Sequence, residues 1–333
     1  MLTTPAPVGT DRVLRLRAMA TEVVLRVVAD PRTGDDDPVG QALARAAAVF
    51  ARVETACTRF DPTSPLMQAN ARPRSWHPVP DECAQAIAAA AHAYRATGGL
   101  FDPRILRRLE TLGYDRSLPF RDGMPVLPGT GTGTGDRSSP VARRPFAPRW
   151  RTDADGRTWV RIGAHPIDLG GIGKGLAVRW AAEELTGIGR GALVEAGGDI
   201  YAAGAGPDGT GWMVGVEDPR GGALPVAVLR LVDRAVTTSS IAVRRWSVAG
   251  RAAHHLIDPR TGQPGGQGLL AVTVAETDPA TSEVWSKSLF LAGRRGIRSL
   301  AASTGLAALW VDTAGVLGTS PAMRELLAWQ APR

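Results

Sequence analysis

The segment Asp168-Leu169-Gly170-Gly171-Ile172-Gly173-Lys174-Gly175 carries the clearest chemical pattern in the chain. A glycine-rich turn running into a helix lets backbone N–H groups approach a phosphate, and the helix N-terminus adds positive potential. The spacing matches neither the dinucleotide fingerprint nor the P-loop, because Lys174 follows a single glycine and is not followed by Ser or Thr. A tight strand-to-helix connection would use the same glycines. Lysine occurs only twice, at Lys174 and Lys287, and every other basic residue is arginine. An ammonium is a compact point charge and a guanidinium a planar fork, so a retained lysine marks a position that the fork does not fit.

Three further constellations could do chemistry. Gly197-Gly198-Asp199-Ile200 pairs glycines that allow close backbone approach to a ligand or make a plain β-turn. Val236-Thr237-Thr238-Ser239-Ser240 is a hydroxyl run, able to donate to phosphate or ribose or to form a polar loop. His254-His255 precedes the turn Asp258-Pro259-Arg260-Thr261-Gly262. Adjacent strand residues point to opposite faces, so at most one of these histidines enters a cleft. An imidazole with an ordinary pKa of ~6.5 can take a hydroxyl proton at neutral pH. Its alternative role is to hold the Asp258 turn in shape, with Asp258–Arg260 a structural pair.

These groups need elements to position them. Val13–Val28 alternates like a β-hairpin. Asp35-Asp36-Asp37-Pro38 reads as the cap of an Ala-rich helix over about Val39–Thr55, and Asp81–Thr97 as a second such helix ended by Gly98-Gly99. Phe60–Ser64 is a turn. Strands are expected at Trp159–Ile162, Pro166–Leu169, Ala192–Glu195 and Ala307–Val311. Helices are expected at Leu176–Leu185, Thr281–Leu291 and Ala322–Trp329. Hairpin strands with separate helices favour α+β over a doubly wound sheet. Residues 119–149 are Pro-rich and hold the tract Gly129–Gly135 of alternating Gly and Thr, read as a flexible insertion.

The 333 residues allow about two domains or lobes. With 44% hydrophobic and 21% charged residues, wholesale disorder is excluded. The formal charge of +7 raises the question of acidic ligands, but the arginines are scattered and aromatics are only 5%, which argues against nucleic acid. No apolar run approaches the ~18 residues of a membrane span. The N-terminus has no basic-then-apolar leader, and Cys57 and Cys83 suit neither a disulfide framework nor a zinc site, so the expected compartment is the cytoplasm.

Read in order, the motifs resemble the ApbE family of FAD:protein FMN transferases. They are Met19-Ala20-Thr21; Arg59-Phe60-Asp61 with Ser64 and Asn70; Gly99-Leu100-Phe101-Asp102-Pro103; and Asp168–Gly175. Then come Gly197–Ile200, Thr238-Ser239, His255–Gly262 and Leu289-Phe290-Leu291-Ala292-Gly293. The resemblance implies an α+β, two-lobed fold with mixed sheets and an FAD cleft between the lobes. Residues 1–10 read as a loose tail, and the resemblance implies one domain over 11–333. It also implies transfer of FMN from FAD to a Thr or Ser of a partner protein, with release of AMP. By position, Met19, Phe60, Leu100, Phe101 and Asp102 would contact the flavin, with Phe60 stacked on the isoalloxazine. Asp168, Lys174, Thr238, Ser239, His255 and Ile257 would complete the FAD site. His255 and Lys174 would serve catalysis.

The chain also departs from the family pattern. Ala20 stands where the family usually has Gly, and Arg179 where it has Asp. The family binds Mg²⁺ with a carbonyl, here that of Gly171, and with an Asp and a Thr or Ser four residues apart on a helix. Those two positions are Glu283 and Lys287 here, and an ammonium cannot ligate a metal. A shifted register would offer Asp278 and Ser282. The altered metal site leaves open an FAD pyrophosphatase, or an FAD-binding protein that has lost transfer.

Overall fold

The computed structural model describes residues 10–29, 37–118, 120, 124–127, 140–142 and 144–331. Its centre is an eight-stranded sheet whose strands lie side by side in chain order, every neighbour antiparallel. These are β1 (Thr10–Ala18), β2 (Thr21–Ala29), β3 (Gly191–Ala196), β4 (Asp199–Gly204), β5 (Arg234–Ser240), β6 (Leu269–Glu276), β7 (Ala307–Asp312) and β8 (Leu317–Thr319). Long excursions between the strands supply the helices. The resulting α+β architecture agrees with the expectation.

The expected hairpin is β1–β2, in register from Thr10↔Ala29 to Ala18↔Thr21, so Met19-Ala20 forms a two-residue turn. Both have positive φ, 52° and 58°, the backbone twist that such turns require. Gly197-Gly198 is the matching turn between β3 and β4. Gly197 has φ 58°, and a Cβ there would lie 2.3 Å from Thr21 Oγ1. The paired glycines therefore seat one hairpin turn against the other.

Helix α1 (Pro38–Cys57) starts at Asp37, whose carboxylate accepts from the Gly40 N–H at 2.9 Å; Asp35 and Asp36 lie outside the described residues. Its small apolar face packs with α5 (Gly173–Glu184) on β2 and β3. Helices α2 (Pro65–Ala71) and α3 (Asp81–Ala96) share a second cluster with Ile162, Ile167 and Leu169, and Trp180 joins the two clusters. Helix α4 (Leu106–Thr111) follows a short 3-10 turn at Pro103–Ile105. Helices α6 (Pro279–Leu291) and α7 (Gly293–Thr304) cover β6 and β7.

Two expected elements differ. Pro166–Leu169 is extended but joins no sheet. The Asn70 side chain satisfies the Ile167 backbone, donating to its carbonyl and accepting from its N–H at 2.8 Å each, and the Asp168 N–H donates to the Pro103 carbonyl at 2.7 Å. The terminal helix is cut to one turn, α8 (Pro321–Arg324), and Leu327–Gln330 pairs instead with the strand Ala227–Leu231. That edge offers backbone partners that a lone helix end lacks. The tract 129–135 and residues 1–9 lie outside the described residues.

Candidate active site

One cavity gathers most of the residues singled out by sequence. Its lining includes Met19, Phe60, Leu100, Phe101, Asp102, Asp168, Gly171, Lys174, His255, Ile257 and Lys287. The β1–β2 turn, the C-terminal end of α1, the glycine turn before α5, and α6 all contribute to its wall.

The glycine turn is fixed by Asp168. One carboxylate oxygen accepts from the Gly170 N–H at 2.5 Å, and the other meets Arg59 Nε at 2.8 Å, both side chains buried. The Arg59 guanidinium lies 4.3 Å from the ring centres of both Phe60 and Tyr114 and donates to the Tyr114 carbonyl at 2.6 Å. Its Nη2 is buried with no hydrogen-bond partner among the described residues. Arginine thus occupies a ring face of Phe60, and a flavin stacked on Phe60 has only the opposite, partly exposed face. Sequence reading quoted Arg59 within a motif but gave it no role; its position beside Phe60 was the available signal.

Asp102 is committed elsewhere. Its two oxygens accept from Arg104 Nε and Nη2 at 2.8 and 2.7 Å, and the carboxylate caps the Arg104 N–H at 3.0 Å. Its carboxylate is thereby held within the Pro103–Ile105 turn, while Leu100 and Phe101 present apolar surface. Gly171 is glycine for a packing reason: a Cβ would meet Phe101 Cε2 at 3.0 Å and the Lys287 stem at 3.4 Å.

Two buried carboxylates and two half-buried lysines stand at the α5–α6 end of the cavity. Lys174 ion-pairs with Asp199 at the start of β4. Lys287 Nζ donates to Glu283 Oε1 at 2.9 Å, and the Gly175 N–H donates to Glu283 Oε2 at 2.8 Å. Burial alone would raise the Glu283 pKa, but Lys287, Lys174 and the Gly175 N–H bring it below the usual value, so Glu283 is ionised. Burial raises the Asp199 pKa, with Lys174 opposing and Glu283 adding to the rise.

His255 faces the cavity and His254 does not line it. His255 Nδ1 lies 3.3 Å from the Arg244 carbonyl oxygen. A carbonyl only accepts, so Nδ1 carries the proton and Nε2 keeps its lone pair. Burial, then the positive charge of Arg244 and Lys287, holds the ring well below its ordinary pKa, so it is neutral at pH 7. His254 sits edge-on to Phe290 at 6.1 Å, and burial lowers its pKa to about 4. Asp258 is held by Arg260, at 2.7 Å between Oδ2 and Nη2, so the following turn does not depend on His255.

The hydroxyl run lies outside the cavity lining. Strand alternation turns Thr237 and Ser239 onto α6, where they bond Ser282 at 3.0 Å and Ser286 at 2.8 Å. Thr238 points the other way and bonds Thr273 at 2.9 Å. Thr238 and Ser239 therefore differ from the expected ligand contacts; the run orients the helix that carries Glu283 and Lys287. Arg244 and Tyr114 line the cavity without any motif that sequence could have flagged.

Mg²⁺ does not fit the residues present. Both Glu283 oxygens already accept hydrogen bonds, one from the Lys287 ammonium. In the shifted register, Asp278 caps Thr281 and is clamped by Arg179 at 2.5 and 2.6 Å, and buried Ser282 bonds the Val274 carbonyl. Among the described residues no cluster of three or more His, Cys, Asp or Glu could hold a metal, and no helix is long and apolar enough to cross a membrane.

Comparison with known proteins bears on the family and the fold. A FAD:protein FMN transferase of Rhodobacter capsulatus is 29% identical over 235 residues, which is 69% of this chain and 42% of that protein. Another, from Haemophilus influenzae, is 30% identical over 166 residues, 48% of each chain. These matches span less than half the length of the curated relatives. The ApbE protein of Thermotoga maritima superposes with a TM-score of 0.72 at 25% identity, covering 95% of this chain and 99% of that one. The flavinyl transferase ApbE of Pseudomonas stutzeri gives 0.74 at 23% identity, over 98% and 100%. The ApbE family model matches residues 19–310, nearly the whole chain, and the protein belongs to the ApbE family.

Proposed function

We propose that the protein is an FAD:protein FMN transferase. The observation that carries this reading is one cavity lined by apolar and aromatic side chains, by both lysines beside the glycine turn, and by a neutral histidine. Phosphoryl transfer asks a protein for positioning and charge neutralisation more than for covalent participation. In this reading Met19, Leu100, Phe101 and Ile257 contact the flavin. Lys174, which lines the cavity beside the glycine turn, neutralises charge on the diphosphate. The Thr or Ser hydroxyl oxygen of the acceptor protein attacks the phosphorus of the FMN half. The bond from that phosphorus to the bridging oxygen breaks, AMP leaves with that oxygen, and the hydroxyl proton passes to His255 Nε2. A depressed pKa keeps this imidazole free to accept it, at some loss of basicity. Asp168 holds Arg59 and the turn rather than touching the reacting atoms. Cytoplasmic residence belongs to the same proposal, supported by two unpaired cysteines, Cys57 and Cys83.

Mass spectrometry of an acceptor protein incubated with FAD and the enzyme tests the reading. The expected result is one FMN on a Thr or Ser peptide and an equal amount of AMP, both lost in His255→Ala while FAD still binds. Free FMN without protein labelling would identify a pyrophosphatase, and FAD recovered whole would identify a binding protein; either result overturns the proposal.

A further inference from the structure

The chain's two lysines converge on one place. Lys174 is in the first turn of α5 and Lys287 is in α6, 113 positions later, yet both line the same cavity and both act on the same carboxylate, Glu283. Their side chains are 14% and 16% exposed, whereas those of their partners Asp199 and Glu283 are 3% and 2% exposed. The carboxylates lie behind and the ammonium groups in front, so the cavity meets the cations. Each ammonium has three donors, and one of each is directed to its carboxylate. The others remain for an anion in the cavity.

Resting on the FAD reading above, we propose that Lys174 and Lys287 together bind the diphosphate of FAD in a site that takes no divalent cation. The Lys287 stem runs over Gly171, 3.4 Å from where a Cβ would stand, and its ammonium ends on Glu283. The ammonium therefore occupies the space between the glycine-turn backbone and the one carboxylate that could have ligated a metal. A divalent ion brought to Glu283 would be repelled by both lysines and would compete with the Gly175 N–H and the Lys287 ammonium for its oxygens. A compact ammonium, unlike a planar fork, meets Glu283 and a diphosphate from one point. Lys287 is thus a binding residue for the diphosphate, and Glu283 positions it.

Equilibrium titration of the full chain with FAD, followed by flavin fluorescence, tests the proposal. FAD affinity of the wild type is expected to be the same in EDTA and in excess Mg²⁺. Lys287→Met is expected to weaken FAD on the order of tenfold or more, the loss of one charge-assisted contact, and to leave riboflavin, which has no diphosphate, unchanged. The double variant Lys287→Met with Glu283→Gln removes the unpaired buried carboxylate and should show the same selective loss, which separates binding from misfolding. Wild-type binding that collapses in EDTA overturns the proposal while keeping the FAD reading. Equal loss of FAD and riboflavin in the double variant also overturns it. Failure of the wild type to bind FAD in either buffer overturns the functional reading, and the proposal with it.

Discussion

The two adjacent histidines give a sharp acid test of the site's surroundings. His254 has a pKa lowered from 6.5 to about 4, because burial disfavours its charged form. An imidazole with a depressed folded pKa takes up a proton less readily in the native state than in the unfolded chain. Its contribution is therefore whole above 6.5 and is lost as pH falls from 6.5 towards 4. From pH ~7.5 to ~5.5 the unfolded imidazole becomes almost fully protonated and the folded one hardly at all, which amounts to about 1.3 kcal/mol of stability. His254→Gln removes this titration and leaves that of His255 in place. Urea unfolding at each pH should show the wild type losing roughly 1 kcal/mol more than His254→Gln across this interval. Parallel stability curves for the two proteins would refute the assignment of His254 to a dry, uncharged position. Because His254 does not line the cavity, the same variant should retain flavin transfer, whereas His255→Ala should not.

Three other perturbations follow from the geometry. Ala20→Gly should raise stability by ~1 kcal/mol, seen as a higher thermal midpoint, because Ala20 holds φ 58° in the β1–β2 turn. Arg59→Met should cost roughly 3–5 kcal/mol in denaturant unfolding, since it strands the buried Asp168 carboxylate; the Arg59→Met, Asp168→Asn double variant should recover part of it. Deleting residues 129–135, outside the described residues, should leave the midpoint and FAD affinity nearly unchanged, because loop length is cheap to vary; insoluble protein would contradict the insertion reading.

Much of this was legible in the sequence, and the parts that were not share a cause. The β1–β2 hairpin, α1, α3, α5 and α6 were readable because each is long and its pattern is local. Pro166–Leu169 was not, since its backbone partners are Asn70 and Pro103, a side chain and a turn far away in sequence. Helix α7 opens on Gly293 and contains Gly296, and those glycines hid it. In the cavity, composition identified Lys174 and Lys287; strand alternation allowed only one of the two histidines there, and the family resemblance picked His255. The same alternation should have warned that Thr238 and Ser239 face opposite ways and cannot both meet one ligand. Arg244 and Tyr114 reach the cavity through tertiary placement alone.

The departures from the family pattern gain sense only in pairs. Arg179 and Lys287 are both cations where the family usually has a carboxylate or a hydroxyl, and each faces a carboxylate of α6 or its cap. Arg179 clamps Asp278 at 2.5 and 2.6 Å, and Lys287 meets Glu283 at 2.9 Å. Read alone, Glu283 and Lys287 are an ordinary i, i+4 pair, worth roughly 0.3–0.5 kcal/mol on a helix surface. Burial changes that account. The Glu283 side chain is 2% exposed and that of Lys287 16%, so both ions lost hydration on folding, and a buried pair commonly does no better than an apolar pair of the same shape. Stability by itself therefore gives no reason to hold these two charges here. Their place in a cavity wall, with a second lysine acting on the same carboxylate, supplies one: they keep a positive charge fixed where an anionic ligand would enter.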